Sequence, residues 1–233
     1  MTASTHVLIP AYNAGRSLAT VLGGVLRHQL PVTVVNDGSS DDTAAQAQRP
    51  GVALLHHPEN RGKGWAILTG VRSCLSRGAG TVICLDADGQ HDPADIPKFL
   101  QTDADLAIGM RNLTAPTVPA LRRFSNGMST LFVSRACGVA LPDAQCGFRR
   151  YSRRLLEEVP LRGGRYESET ALLIDACRVG YSPVWVPIAT RYEGVNNSHY
   201  RTFRDTIRIA RLVIGAGRPA EQINRPRQRT EAR

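Results

Sequence analysis

Two aspartates one residue apart, Asp86-Ala87-Asp88, follow the apolar run Thr81-Val82-Ile83-Cys84-Leu85 and lead into Gly89, Gln90 and His91. Carboxylates at i and i+2 just beyond a strand leave the pleat and can converge on one hard cation, with Gln90 adding a neutral oxygen. Mg²⁺ and Mn²⁺ take such ligands in octahedral geometry and favour one or two carboxylates completed by substrate phosphates. The same residues could equally cap a turn before the helix that starts at Pro93, so the pair by itself does not decide. Two other apolar runs also end in polar clusters, Pro10-Ala11-Tyr12-Asn13 and Asn36-Asp37-Gly38-Ser39. Three strand ends carrying carboxylates and amides are what a polar pocket requires.

The elements that position these clusters alternate along the first half. Strands are predicted at His6–Pro10, Val32–Asn36, Val52–His56, Thr81–Asp86 and Leu106–Gly109. Helices are predicted at Arg16–Arg27, Asp41–Gln48, Lys63–Arg77 and Pro93–Gln101. Ser39-Ser40-Asp41-Asp42 and Asp92-Pro93 supply N-cap chemistry for the second and fourth helices. This alternation indicates an α/β fold with a mostly parallel sheet, in which ligands bind at the carboxyl ends of the strands. The second half reads as a Pro/Thr-rich loop at Asn112–Pro119, a helix at Leu121–Cys137, a strand-like segment at Asp143–Tyr151, a helix at Ser168–Val179, a short strand at Pro183–Pro187 and a last helix at Thr202–Ile214. Residues 1–217 form one domain in this reading, and a basic tail follows from Arg218 to Arg233.

Composition narrows the classes. The chain has 233 residues, 42% hydrophobic, a size that buries one substantial core. Five scattered cysteines without a C-x-x-C pair argue against a disulfide framework or zinc site and fit a reducing, cytoplasmic compartment. No signal peptide or run of about 18 apolar residues is evident, which argues against insertion in a membrane but not against contact with its inner face. The net charge of +9 rests almost wholly on arginine, the residue suited to planar, bidentate phosphate binding. Nucleic acid is disfavoured, because aromatics make up 6% of the chain and do not interleave with the charge. On the last helix Arg201, Arg204, Arg208 and Arg211 form one stripe and Phe203, Ile207, Ala210 and Ile214 another. Such a helix could lie on an anionic membrane or dock on the core. Asn60-Arg61-Gly62-Lys63-Gly64 opens the third helix, whose N-terminus would attract anions. It is no P-loop, since Lys63 is followed by Gly64, and no G-x-G-x-x-G follows the first strand.

Five ordered segments, Ile9-Pro10-Ala11-Tyr12-Asn13, Val35-Asn36-Asp37-Gly38-Ser39, Asn60-Arg61-Gly62-Lys63-Gly64, Asp86-Ala87-Asp88-Gly89-Gln90-His91 and Cys146-Gly147-Phe148-Arg149, resemble family 2 glycosyltransferases of the GT-A fold. The likeness is greatest to the dolichyl- or polyprenyl-phosphate sugar transferases and covers roughly residues 6–200. It implies that Pro10, Tyr12 and Asp37 hold the nucleobase and ribose, with Asn13, Lys63 and Ala87 among the donor contacts. It implies that Asp86 touches nucleotide and metal, that Asp88 and Gln90 are metal ligands for Mg²⁺ or Mn²⁺, and that Arg123 and Arg149 face phosphate groups. Glu167 and Glu169 match an acidic pair on the acceptor side. Ala14 and Asn36 stand where relatives often carry carboxylates, a departure that bears on which nucleotide is used.

The chemistry is coherent with those residues. A nucleotide sugar leaves as a diphosphate, whose developing charge a cation and arginines stabilise. A lipid phosphate acceptor is already an anion and needs no general base, which suits Arg111, Arg122, Arg123, Arg149 and Arg150. A hydroxyl acceptor would need a base, with Asp143 or Glu169 as candidates. The expectation is an inverting enzyme that moves a hexose from a UDP- or GDP-sugar to a polyprenyl phosphate, peripheral on the membrane and open to a membrane partner protein. The rivals are transfer to a soluble or glycan hydroxyl, and a non-catalytic nucleotide-sugar-binding protein.

Overall fold

In the computed structural model, residues 4–112, 120–165 and 167–190 are described. Seven strands form one sheet: β1 (Ser4–Ala11), β2 (Val32–Asp37), β3 (Val52–His57), β4 (Ala79–Cys84), β5 (Leu106–Met110), β6 (Arg149–Ser152) and β7 (Val184–Pro187). Their order is β3-β2-β1-β4-β6-β5-β7. All pairings are parallel except those of β6, which runs antiparallel to both β4 and β5. The mostly parallel α/β expectation holds. The strand-like segment 143–151 narrows to β6, which forms a continuous ladder between two parallel halves.

The helices are α1 (Gly15–Leu26), α2 (Thr43–Ala47), α3 (Lys63–Ser76), α4 (Ile96–Leu100), α5 (Ala120–Cys137), α6 (Arg153–Glu158) and α7 (Glu167–Arg178). The buried face of α1 (Leu18, Val21, Leu22, Val25) repeats at three and four residues, the spacing that lays one stripe on a sheet. β2 is buried along its whole length, as expected of a parallel strand covered on both faces. Asp92 caps a 3₁₀ turn at Pro93–Asp95 by accepting from the Ala94 N–H at 3.0 Å. The cap of α2 comes from the expected Ser39–Asp42 segment. Asp42 occupies the cap position without a side-chain bond to the helix amides, and Asp41 accepts from the Thr43 N–H instead. Asp41 also accepts from the Gly15 N–H at 3.0 Å, so one carboxylate ties the starts of α1 and α2. The short α6 was not anticipated; Ser152 caps it by accepting from Leu155 N–H. The expected final helix at 202–214 and the tail lie outside the described residues, as do residues 113–119 of the Pro/Thr loop.

The strand order reverses direction of growth at β1: β2 and β3 lie to one side, β4 to the other. In doubly wound sheets this reversal opens a crevice at the carboxyl ends of the strands, and ligands bind there. The Pro10–Asn13, Asn36–Ser39 and Asp86–His91 segments all leave the sheet at that edge.

Candidate active site

β4 ends at Cys84, two residues short of the expected boundary, and Leu85 N–H donates to the Leu8 carbonyl at 3.0 Å, so Asp86 is the first side chain beyond the ladder. The loop that follows is held from α1, where the Ser17 hydroxyl donates to the Ala87 carbonyl at 2.7 Å. Gly89 takes φ +77, a left-handed backbone that glycine accepts without a Cβ penalty. The Gln90 N–H then turns back to the Asp88 carboxylate at 2.9 Å.

Lys63, the first residue of α3, sends its ammonium between two carboxylates, 2.6 Å from Asp86 Oδ1 and 2.7 Å from Glu169 Oε2. His91 Nε2 lies 3.7 Å from Asp86 Oδ2. Loss of solvent would push the Asp86 carboxyl up, but the Lys63 ammonium and the His91 ring outweigh it and hold it far below the usual carboxylate range. Burial works against the Lys63 charge too, yet the two carboxylates keep it well above its ordinary value. Asp88 behaves oppositely: burial and then the nearby Asp86 charge raise its carboxyl. A carboxylate disfavoured by a like charge beside it is one that a bound cation would stabilise.

Asp37 ends β2 almost fully buried. It accepts from His57 Nδ1 at 2.6 Å, from Arg61 N–H at 3.0 Å and from Gly62 N–H at 2.7 Å, while His57 Nε2 meets the Thr69 hydroxyl at 2.9 Å. Asp37 and His57 face each other in the β2–β3 register. This carboxylate therefore anchors the loop that delivers Lys63. Asn13 joins the first two loops, accepting from Ser40 N–H at 2.9 Å and donating its own N–H to the Ser39 hydroxyl at 3.0 Å. Its φ of 48 is one that asparagine tolerates better than most residues. Pro10 is buried in β1, and Tyr12 is exposed at the crevice edge.

A model of the family described as "Glycosyl transferase family 2" matches residues 6–159. The chain is a family 2 glycosyltransferase. The transferase is 33% identical over 205 residues to the polyprenol monophosphomannose synthase of Mycolicibacterium smegmatis, covering 80% of this chain and 77% of that protein. It is 32% identical over 197 residues to the undecaprenyl-phosphate mannosyltransferase of Micrococcus luteus, covering 78% and 81%. Among solved structures, the UDP complex of glucosyl-3-phosphoglycerate synthase from Mycobacterium tuberculosis superposes with a TM-score of 0.71 at 19% identity, over 92% of this chain and 80% of that one. That likeness carries the GT-A fold.

Within the transferase, the arginines expected at phosphate divide. Arg149 does not face the crevice. It is 2% exposed, and its guanidinium donates to the carbonyls of Cys146 (2.7 Å), Glu169 (2.7 Å) and Ala144 (2.9 Å). Alternation along β6 turns Arg150 to the opposite side, where it donates to the Ala104 carbonyl. Arg111 forms a bidentate pair with Asp143 at 2.7 and 2.9 Å. Asp143, a base candidate for a hydroxyl acceptor, is wholly buried in that pair. Arg123 is exposed in the first turns of α5, and the Arg122 side chain lies outside the described residues. Glu167 turns to its own loop, accepting from the Arg165 N–H at 3.3 Å.

Asp86, Asp88, Gln90 and Lys63 thus gather at one strand end, while Asp37 and Asn13 shape the loops around it. His57 and Ser17 were not anticipated as site-forming residues. His57 lies one residue beyond the expected strand end, and both its pairing with Asp37 and the contact of Ser17 with Ala87 are supplied only by the fold. Among the described residues no group of three His, Cys, Asp or Glu side chains is set to hold a metal, and no helix is long and apolar enough to cross a membrane.

Proposed function

We propose that this family 2 glycosyltransferase moves a hexose from a UDP- or GDP-sugar to a polyprenyl phosphate, with inversion, at the crevice beyond β1, β2 and β4. The observation that carries the choice of acceptor is the state of the two candidate bases. Asp143 is locked to Arg111, and Glu169 is neutralised by Lys63 at 2.7 Å. A carboxylate held in an ion pair is a poor proton acceptor, whereas a phosphate monoester arrives already anionic, with a second pKa of about 6. The likeness to a polyprenol monophosphomannose synthase and an undecaprenyl-phosphate mannosyltransferase supports the same acceptor.

A divalent cation suits the residues present. Burial and then its anionic neighbour Asp86 raise the Asp88 carboxyl, and its carboxylate accepts from the Gln90 N–H. In this reading Asp88 and Gln90, with Asp86, hold Mg²⁺ or Mn²⁺. When bound, the ion supplies Lewis-acid stabilisation of the departing diphosphate. The chain's own residues do the rest. Asp86 stays ionised beside Lys63 and faces donor and metal, Pro10 and Tyr12 flank the base, and Asp37 and Asn13 hold the loops that frame it. Arg123, near the start of α5, receives the acceptor phosphate, where helix amides add to the attraction of a guanidinium. In this reading a lipid acceptor brings the enzyme to the inner face of a membrane, where a membrane partner protein could join it.

The test is transfer itself. Protein with Mn²⁺ is given labelled UDP- and GDP-hexoses together with a short polyprenyl phosphate or the matching polyprenol. Lipid labelling confined to the phosphate supports the reading; equal labelling of the alcohol overturns it.

A further inference from the structure

Lys63 lies in a segment, Asn60-Arg61-Gly62-Lys63-Gly64, whose glycines suggest a loop shaped for a phosphate. The contacts around it point elsewhere. A Cβ on Gly64 would lie 2.0 Å from Ser168 Oγ, and one on Gly62, where φ is +103, would lie 2.8 Å from the Gly164 carbonyl. The Trp65 N–H donates to that same carbonyl at 3.3 Å. Both glycines therefore press against the approach to α7, not against an open cradle. They form a notch that lets the first turn of α7 sit close enough for Glu169 to reach the Lys63 ammonium. Across the ammonium stands Asp86, and the backbone on that side is again glycine: a Cβ on Gly147 would lie 2.3 Å from Asp86 Oδ2 and 2.8 Å from Lys63 Nζ.

We infer that Lys63 is a positioning residue, braced by Glu169 on α7, that fixes the Asp86 carboxylate for metal and nucleotide without touching the substrate itself. The geometry is a three-element clamp: the start of α3, the end of β4 and the first turn of α7 meet at one nitrogen, with distances of 2.6 and 2.7 Å. Lys63 claims Oδ1 of Asp86, so the carboxylate cannot rotate freely. The loop carrying Lys63 is in turn pinned by Asp37 through the Arg61 and Gly62 amides. Charge fits the arrangement. The Lys63 ammonium stands against Asp86 and Glu169, and the buried Arg149 guanidinium lies 3.8 Å from the other Glu169 oxygen, so Glu169 faces cations on both sides. Without Lys63, Asp86 and Glu169 would confront each other across a vacated space.

This inference rests on the metal-dependent transferase reading but is tested apart from it. Lys63→Met, Glu169→Gln and the double variant are compared with the parent in binding of UDP or GDP by calorimetry, with Mn²⁺ and in EDTA, alongside thermal midpoints. Lys63→Met should weaken nucleotide binding about tenfold or more with Mn²⁺ and little in EDTA, since the ammonium acts through Asp86. A lysine that contacts the donor phosphates directly would lower binding in both conditions, and that result overturns the inference. The double variant removes the orphaned charge and should regain the thermal midpoint while its Mn²⁺-linked binding stays weak; full recovery of both would make Lys63 a mere counter-ion to Glu169 and also overturn it. Glu169→Gln alone keeps the Lys63–Asp86 contact and should lose less than Lys63→Met. If the parent binds nucleotide without any Mn²⁺ linkage, the metal reading itself fails, a result visible before any variant is compared.

Discussion

Replacing Arg149 by lysine separates two roles for the last residue of the Cys-Gly-Phe-Arg motif. Lysine keeps the charge and loses the planar fork. The guanidinium satisfies three carbonyls, at 2.7, 2.7 and 2.9 Å, from a position 2% exposed. An ammonium at the end of a different stem can serve one of the three, leaving two buried carbonyls without a charged donor. Hydrogen bonds to charged groups are worth about 1.5–3 kcal/mol each, so the loss is about 3–6 kcal/mol. That is a large part of a total stability of about 5–15 kcal/mol. For a chain of this size each kcal/mol moves the thermal midpoint by about 2–4 °C, so Arg149→Lys should melt about 6–24 °C lower. Urea unfolding should show the same fall at an unchanged slope. Acceptor use, measured on the fraction still folded at low temperature, should change little. An unchanged midpoint with a tenfold rise in acceptor KM would refute the reasoning and put the guanidinium on the substrate.

Asp88→Ala should reduce turnover by about 100-fold or more with its melting curve nearly intact, because the residue belongs to a strand-end loop rather than the core; full turnover of the parent in EDTA would count against the metal site. Gly147→Ala forces a methyl to within 2.3 Å of Asp86 Oδ2 and should cost on the order of 100-fold in turnover through misplacement of that carboxylate; a circular-dichroism melt identical to the parent's would confirm that the damage is local. Asp41 should impart a pH dependence to stability. Burial opposes its anion, but the Thr43 hydroxyl and the Gly15 and Thr43 amides prevail and hold the carboxyl below its ordinary value. A depressed folded value stabilises above the unfolded pKa of about 3.9 and is lost as pH falls through the folded one. The stability gap between parent and Asp41→Asn, from urea midpoints, should therefore be full at neutral pH and close in acid; a gap that widens below pH 4 would contradict it. Arg123→Lys should raise acceptor KM about tenfold and leave donor KM near the parent's, as loss of a bidentate phosphate contact predicts; equal effects on both would remove Arg123 from the acceptor site.

The local pattern of residues was enough to determine the alternating elements and the chemistry of the strand ends. Apart from Thr33, Val32–Asp37 is apolar until its last two residues, and the run Thr81–Leu85 ends at Asp86, so strands, turns and the carboxylates at the strand ends could all be read from near neighbours. The same was true of the order of the five motifs, which places the chain in its family. What the sequence could not supply was where long side chains end. Arg149, Arg111 and Arg150 share one composition signal, an excess of arginine, yet three partners far along the chain absorb them: the Glu169 carbonyl, Asp143 and the Ala104 carbonyl. Lys63 resembles an anion-binding residue until α7, beginning more than a hundred positions later, lays Glu169 beside it. β6 was legible as extended chain, but its antiparallel entry between β4 and β5 depends on sheet register, which no single segment encodes. Periodicity is a property of neighbours a few residues apart, and it writes strands and helices into the sequence. The pairing of a buried charge is a property of whatever the fold brings alongside, so only the tertiary structure decided which charges were left for substrate.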